Sequence, residues 1–237
     1  MAHEKTAKAL GVNLIHLPLV AGNSKKEWRS PITGKFELVE TAVLDYYRID
    51  GWRGYSGEGG LILNLIKAMS FPNINIRNRS TFIEAIYAQN VAFESDRFEV
   101  DWLLKNVKEA SPTQIKNNFD IMASKEMHTI NYGSFSSTCC ASMLDYFPQL
   151  QSYMFLELFD ALGRDKLFDI AKIFSCDPYL YRKGWPDITI WKDGVVKFLE
   201  VKSPGDKLHN SQKTIINAFL KPLGLDFSLI DVVYKTD

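Results

Sequence analysis

The chain has 237 residues, of which 46% are hydrophobic and 24% charged, and these values are ordinary for one compact globular protein. Its 28 basic and 28 acidic residues give a formal net charge of zero, which excludes a general positive field as the source of any affinity for phosphates. No stretch approaches the roughly 20 apolar residues of a membrane span. Three cysteines without a CxxC pair indicate thiols in a reducing compartment, and we expect the protein in the cytoplasm.

Residues 1–37 form an N-terminal arm to which we assign no function. The apolar run at 9–20 resembles a signal peptide, but Asn13, His16 and Pro18 interrupt it and no small-x-small cleavage site follows. We therefore expect an ordered strand or arm here rather than a secretion signal.

Helical periodicity begins at residue 37, where the apolar spacing predicts a helix over 37–47. Gly51 and Gly54 break this pattern. The run Gly57-Glu58-Gly59-Gly60 then opens a second helix. Glu58 would lie in its first turn, where the helix dipole favours a carboxylate.

Residues 72–183 are predicted to be mostly helical. Capping residues, prolines and apolar spacing mark the segments, which are 80–93, 101–107, a helix starting at Pro112, 148–162 and 165–174. The Ser-rich stretch at 134–138 is interpreted as a connection. After residue 184, the pattern predicts a hairpin, a helix over 211–220 and a strand over 225–234.

The hairpin reads GWPDITIWKDGVVKFLEVKSPGDK, residues 184–207. Asp193-Gly194 is typical of a two-residue type I′ turn, which pairs residue 192 with residue 195. Counting outward from this pair places Asp187 directly opposite Glu200, with Cβ atoms about 4.5–5.5 Å apart. Two carboxylates at that distance repel by roughly 3 kcal/mol at an effective dielectric of about 20. One of them must then be protonated, or a cation must lie between them.

Lys202 lies on the same face as Glu200, because side chains repeat every two residues along a strand. Two hard oxygen ligands that leave positions open for water and a phosphate suit Mg²⁺. An exposed hairpin that carries ordinary surface charges is the alternative interpretation, because Asp-Gly hairpins are common.

These residues carry a family resemblance. Pro186-Asp187 followed by Glu200-Val201-Lys202 resembles the PD-(D/E)XK nuclease core, and the longer string through Gln212 resembles its VRR-NUC branch. Within that branch the chain is most similar to the nuclease domain of the Fanconi-associated nucleases. The segment 38–66 resembles that family's helical segment with the first metal-binding glutamate, here Glu58.

The resemblance implies an α/β (α+β) fold of the restriction-endonuclease type, in which a mixed sheet is flanked by helices. The nuclease domain would span 38–237, and residues 72–183 would form a helical insertion lobe that helps to hold DNA. The chain departs from the family in two respects. It lacks the separate DNA-binding and helical-repeat domains of full-length members, and Ser203 follows the lysine where glycine is usual.

The resemblance also implies a set of site residues. The catalytic residues would be Asp187, Glu200, Lys202 and Gln212. Glu58, Asp187, Glu200 and the Val201 carbonyl would hold one or two Mg²⁺ or Mn²⁺ ions. Gln212 would contact a metal-bound water or a phosphate, with an ordinary surface glutamine as the alternative. Cationic side chains near the hairpin are the candidates for DNA contact, namely Arg182, Lys183, Lys207 and Lys213.

The activity implied is endonuclease or exonuclease hydrolysis of phosphodiester bonds in branched, flap or splayed DNA, in DNA repair. Two alternatives stay open. The chain could be the toxic DNase of an interbacterial effector, delivered into a target cell and neutralised by an immunity protein. It could also be a non-catalytic module that binds DNA structures, although the intact acidic residues and lysine argue against this.

Overall fold

A computed structural model of the chain describes residues 2–24, 26–89, 96–132 and 134–235. The chain divides into two compact units, which we call the sheet unit (residues 1–59 and 183–237) and the helical unit (residues 60–182). Within the described ranges, no helix is both long and apolar enough to cross a bilayer.

The strands are named in chain order. They are β1 (Asn13–Leu19), β2 (Glu27–Arg29), β3 (Phe36–Leu38), β4 (Arg53–Ser56), β5 (His128–Tyr132), β6 (Phe135–Cys139), β7 (Ile188–Lys192), β8 (Val195–Lys202) and β9 (Asp226–Tyr234). The helices are α1 (Ala2–Leu10), α2 (Val39–Ile49), α3 (Gly60–Met69), α4 (Ile83–Tyr87), α5 (Val100–Glu109), α6 (Pro112–Ala123), α7 (Ser152–Leu162), α8 (Arg164–Cys176), α9 (Pro178–Tyr181) and α10 (Asn210–Ile215), which a π-helical turn (Ile216–Leu220) extends.

A mixed five-stranded sheet in the order β1-β9-β8-β7-β4 forms the centre of the sheet unit. Strands β1, β9 and β8 run parallel, and β7 is antiparallel to both β8 and β4. Asp193 and Gly194 have φ of +50° and +76°, as a type I′ turn requires. The pairs run from Lys192 with Val195 to Ile188 with Leu199, which confirms the predicted register.

Strand β8 has two different faces. Leu199 and Val201 belong to the buried apolar cluster that also contains Val43 of α2. Burying side chains of this size stabilises the fold by roughly 1.5–3 kcal/mol each. Because successive side chains of a strand point to opposite faces, Glu200 and Lys202 lie on the face away from that cluster.

The N-terminal arm is part of the sheet unit, because β1 pairs with β9 over its whole length and α1 packs against β1. The first predicted helix is shifted by two residues and spans Val39–Ile49. The second begins at Gly60 rather than at 57, so the prediction that Glu58 lies in its first turn is wrong. The short strand β4, which pairs with β7, occupies the preceding residues.

The helical unit begins at Gly60 rather than at residue 72. All ten residues of α3 are buried, and this helix packs against α6 and α7, so it belongs to the core of that unit. Helix α6 begins at Pro112 as predicted, with the Ser111 side chain accepting a hydrogen bond from the Gln114 N–H.

Two other predictions for the helical unit need correction. The Ser-rich stretch at 134–138 is not a simple connection, because most of it forms β6 in a hairpin with β5. The helix predicted for 80–93 is shorter, since α4 spans Ile83–Tyr87 and residues 90–93 lie outside the described ranges.

Candidate active site

Two carboxyl groups meet at the ends of β7 and β8. Asp187 immediately precedes β7 and is partly buried, whereas Glu200 lies in β8 with 1% of its surface exposed. The two groups lie close enough for each to influence the pKa of the other. The Val201 N–H also donates to Asp187 Oδ2 at 2.8 Å, which fixes the aspartate against the neighbouring strand. The hairpin therefore brings together the two acids that the register counted from the Asp193-Gly194 turn predicts to be opposite each other.

The environment disfavours two negative charges at this point. Burial, and then the neighbouring Asp187 carboxylate, hold the pKa of Glu200 well above its usual value. Burial also raises the pKa of Asp187, although the Val201 N–H and the Lys202 ammonium oppose that shift. The pair therefore binds positive charge more readily than two exposed acids would.

Lys202 and Gln212 both donate to one oxygen of Glu200. Lys202 Nζ lies 2.6 Å from Glu200 Oε1, and Gln212 Nε2 donates to the same atom. The other end of the Gln212 amide, Oε1, accepts from the His209 N–H at 2.8 Å, so the orientation of the amide is fixed. Gln212 is buried, and the alternative of an ordinary surface glutamine is wrong.

Gly184 permits the close approach of α10 that this arrangement needs. Its φ is +85°, and a Cβ at this position would lie 2.3 Å from the carbonyl carbon of Ser211. Any other residue would therefore push away the backbone that carries Gln212.

Glu58 is an exposed residue in the turn between β4 and α3. The preceding Gly57 N–H donates to the Asp187 carbonyl at 2.9 Å, so the backbone at Glu58 runs beside the acid pair. Its Oε1 accepts from the Gly184 N–H at 3.0 Å. Within the described part of the chain, no three His, Cys, Asp or Glu side chains are grouped to hold a metal. The structure thus brings together two of the three predicted acidic ligands, and the role of Glu58 stays a prediction.

The donor set nevertheless fits a divalent cation. Two neighbouring carboxyl groups supply hard oxygen ligands, and among the described residues Lys202 is the cation that donates to one of them, Glu200. A single ammonium leaves one negative charge uncompensated when both acids are ionised. A small divalent ion can replace the proton that the pair otherwise holds.

The four predicted DNA-contacting side chains differ in their surroundings. Lys183 and Lys207 are exposed and Lys213 is partly exposed, and the described ion pairs include none of the three. Arg182 belongs to the helical unit, where its guanidinium lies 5.2 Å from the centre of the Tyr179 ring and 3.5 Å from Glu84 Oε1. Part of its charge is therefore already compensated.

Two residues next to the site were not predicted. Asp231 of β9 pairs with Lys202 in the parallel register, and His3 of α1 contacts Asp231. The sequence holds a signal for Asp231, because an acid in the middle of the apolar strand 226–234 is unusual. It holds none for His3, which lies 228 residues away from its partner.

Comparison with known proteins gives two kinds of match. The family model of the VRR-NUC domain matches residues 125–234, a range that contains Asp187, Glu200, Lys202 and Gln212 but not Glu58. The search of curated proteins found no match.

The solved structures that match include paFAN1 bound to 5′ flap DNA with a gap. For the complex with a 2-nucleotide flap, the TM-score is 0.63 at 17% identity, over 98% of this chain and 41% of that chain. For the complex with a 1-nucleotide flap, the TM-score is 0.61 at 16% identity, over 98% of this chain and 42% of that chain. The chain thus spans about two fifths of the length of these relatives, and the likeness confirms the predicted mixed sheet flanked by helices.

Proposed function

We propose that the protein is a metal-dependent nuclease that hydrolyses phosphodiester bonds in DNA, and the match of residues 125–234 to the VRR-NUC family model supports this. One observation carries the proposal, namely the buried Glu200 next to the partly buried Asp187, with Lys202 donating to Glu200. A surface hairpin with ordinary charges, or a module that only binds DNA, has no need to place a second acid beside a buried one.

The proposed metal ligands are the carboxylates of Asp187 and Glu200 and the Val201 carbonyl, with Glu58 as a further ligand from the adjacent turn. These oxygens would hold one or two Mg²⁺ or Mn²⁺ ions. When bound, such an ion lowers the pKa of a water molecule and neutralises charge that develops on the scissile phosphate.

The remaining side chains act by position and charge. The Lys202 ammonium orients the attacking water and stabilises the negative charge of the transition state. Gln212 holds Glu200 Oε1 from the other side, since its own amide is fixed by the His209 N–H. The Val201 N–H donates to Asp187 and fixes it at the end of the hairpin that lies away from the turn. Each carboxylate is therefore oriented before any substrate arrives.

The proposed substrate is branched, flap or splayed DNA, and the proposed setting is DNA repair. The paFAN1 structures contain 5′ flap DNA, which supports a flap as the first substrate to test. Lys183, Lys207 and Lys213 in the sheet unit, with Arg182 in the helical unit, are the proposed phosphate contacts. They provide local positive charge on a chain whose net charge is zero.

The first experiment is a cleavage assay on duplex, splayed, 5′ flap and 3′ flap DNA, with Mg²⁺ or Mn²⁺. We expect the wild type to cleave at least one of these structures, and Asp187→Ala and Glu200→Ala to lose about a hundredfold or more in rate, because each removes a charge that holds the metal. Asp160→Ala, an exposed acid of the helical unit, is the matched control and should cleave normally. Equal cleavage by all four proteins, or none by the wild type with either metal, would contradict the proposal.

A further inference from the structure

A second acid lies on the strand next to the lysine of the proposed active site. Asp231 of β9 is 6% exposed and pairs with Lys202 of β8 in the parallel ladder. Paired residues of adjacent strands share a face, and the strands lie about 4.8 Å apart, so the Asp231 carboxylate is within reach of the flexible Lys202 side chain. The observed Lys202 ammonium nevertheless donates to Glu200.

The imidazole rings of two histidines contact the Asp231 carboxylate. His3 Nδ1 lies 2.7 Å from Asp231 Oδ1, and His16 Nδ1 lies 3.1 Å from Asp231 Oδ2. The His3 side chain is well covered, whereas His16 is 41% exposed, so the contact with His3 is the better shielded of the two. The acid is therefore satisfied without the lysine.

The second nitrogen of His3 reaches the loop that follows Lys202. His3 Nε2 lies 2.9 Å from the Asp206 carbonyl oxygen. The Asp206 carboxylate in turn accepts from the Ser203 N–H at 3.0 Å, and the Asp206 N–H donates to the Ser203 carbonyl at 3.0 Å. This compact turn begins at the residue next to Lys202. The His3 imidazole therefore links α1 to both β9 and the turn.

The charge state of His3 is consistent with this bridge. Burial lowers the pKa of His3 and the Lys202 ammonium opposes protonation, but the hydrogen bonds to the Asp206 carbonyl and Asp231 outweigh them, so the pKa is raised. A carbonyl oxygen can only accept, so Nε2 must donate to it. The protonated ring donates from both nitrogens and also compensates the charge of Asp231.

We propose that His3 is a positioning residue of the nuclease site, which engages Asp231 and the 203–206 turn and thereby keeps Lys202 on Glu200. This role rests on the proposed function of the site. Without His3, the buried Asp231 carboxylate would keep only its contact with the more exposed His16. The Lys202 side chain, which starts from the paired position on β8, would then be the cation that replaces His3. Capture of Lys202 by Asp231 would remove it from the place where it acts on the attacking water.

The kinetic test compares His3→Ala with Lys8→Ala, an exposed position on the same helix. We expect His3→Ala to lower kcat on the preferred flap substrate about tenfold or more, while KM and the DNA dissociation constant change little. Lys8→Ala should match the wild type in all three. An unchanged kcat for His3→Ala would overturn the proposal.

A double variant separates positioning from general damage to the fold. In His3→Ala/Asp231→Asn the competing charge is gone, so we expect kcat to recover most of the loss that His3→Ala causes. If His3 merely stabilises the fold, a second change in the same contact would leave kcat at the level of the single variant or below. That result would also overturn the proposal.

A crystal structure of His3→Ala tests the inference without any cleavage. We expect Lys202 Nζ to lie within about 3–4 Å of the Asp231 carboxylate and to have left Glu200. An ammonium that stays on Glu200 would contradict the proposed competition, even if the protein cleaves DNA. Failure of the wild type to cleave would instead count against the nuclease assignment alone.

Discussion

The Glu200 carboxyl group is buried beside the partly buried Asp187, and the Lys202 ammonium donates to Glu200. Such a pair raises the free energy of the folded protein when both groups are ionised, because like charges repel strongly where water is excluded. Residues that bind a metal are often arranged in this way, at the expense of stability. Substitution of either acid should therefore change the stability of the protein as well as its cleavage rate.

We predict that Asp187→Asn makes the metal-free protein more stable at neutral pH and removes its response to metal. The amide keeps an acceptor for the Val201 N–H but carries no charge, so relief of about 1 kcal/mol should raise Tm by about 2–4 °C. Mg²⁺ should raise the Tm of the wild type, since a ligand that binds only the folded state stabilises it. The variant should show no such rise.

Thermal unfolding followed by circular dichroism, with and without Mg²⁺, measures both effects. Asp160→Asn, at an exposed position, serves as the control and should behave as the wild type does. A lower Tm for metal-free Asp187→Asn would mean that the carboxylate stabilises the fold.

At the scale of elements, the two glycines that flank β7 allow a matched comparison. Gly184 and Gly194 have φ of +85° and +76°, so alanine at either position is strained by about 1–2 kcal/mol. Space around them differs, since a Cβ at Gly194 meets nothing within 4 Å and one at Gly184 meets the Ser211 backbone. We predict that both Gly→Ala variants lose stability, but that only Gly184→Ala loses cleavage, because it displaces the backbone that carries Gln212.

Urea unfolding gives the stability change of each variant, and the cleavage rate is then compared under conditions in which both are fully folded. Equal cleavage by the two variants would show that the position of α10 does not matter for the reaction. A loss of cleavage in Gly194→Ala alone would point to the turn instead.

The β7–β8 hairpin could be predicted because its information is local. Asp193-Gly194 selects one turn, the turn selects the register, and the register places Asp187 beside Glu200. The strand β4 could not be predicted in the same way, since it is only four residues long and has no comparable turn signal. The strand β6 was missed, although the sequence places Gly133-Ser134, a dipeptide typical of a two-residue hairpin turn, directly before it. For such short segments, pairing with a distant strand outweighs local preference.

The contacts of single side chains across long sequence separations were beyond prediction for a similar reason. The buried Gln212 amide depends on where α10 starts, and the contact of His3 with Asp231 depends on β1, β9 and α1 all being in place. Neither Gln212 nor His3 carries a pattern in the sequence around it that indicates such a partner.

For the whole molecule, the balance of 28 basic and 28 acidic residues makes any affinity for DNA depend on where the charges lie. A protein that neutralises phosphates releases counterions, and log K falls with log[salt] by about 0.9 for each phosphate contacted on duplex DNA. The number of lysines that touch DNA is therefore measurable from binding alone.

We predict that Lys183→Gln, Lys207→Gln and Lys213→Gln each reduce this salt slope by about 0.9, because each removes one phosphate contact. Fluorescence anisotropy at several salt concentrations, in the non-cleaving Glu200→Ala background, provides the slope. Lys172→Gln changes an exposed lysine of α8 and should leave the slope unaltered. A slope that none of the three substitutions changes would mean that other residues bind the phosphates.

Strand β8 combines two roles, with Leu199 and Val201 in the apolar core and Glu200 and Lys202 on the opposite face, where they form the proposed site. A substitution at one of these positions alters either the core or the proposed site and leaves the other unchanged. Deletion or insertion of a single residue within 195–202 shifts the side chains that follow it to the other face of the sheet. The charged side chains would then enter the apolar core, and the aliphatic side chains would lie on the opposite face. Natural variants of this segment should therefore contain substitutions but no insertions or deletions.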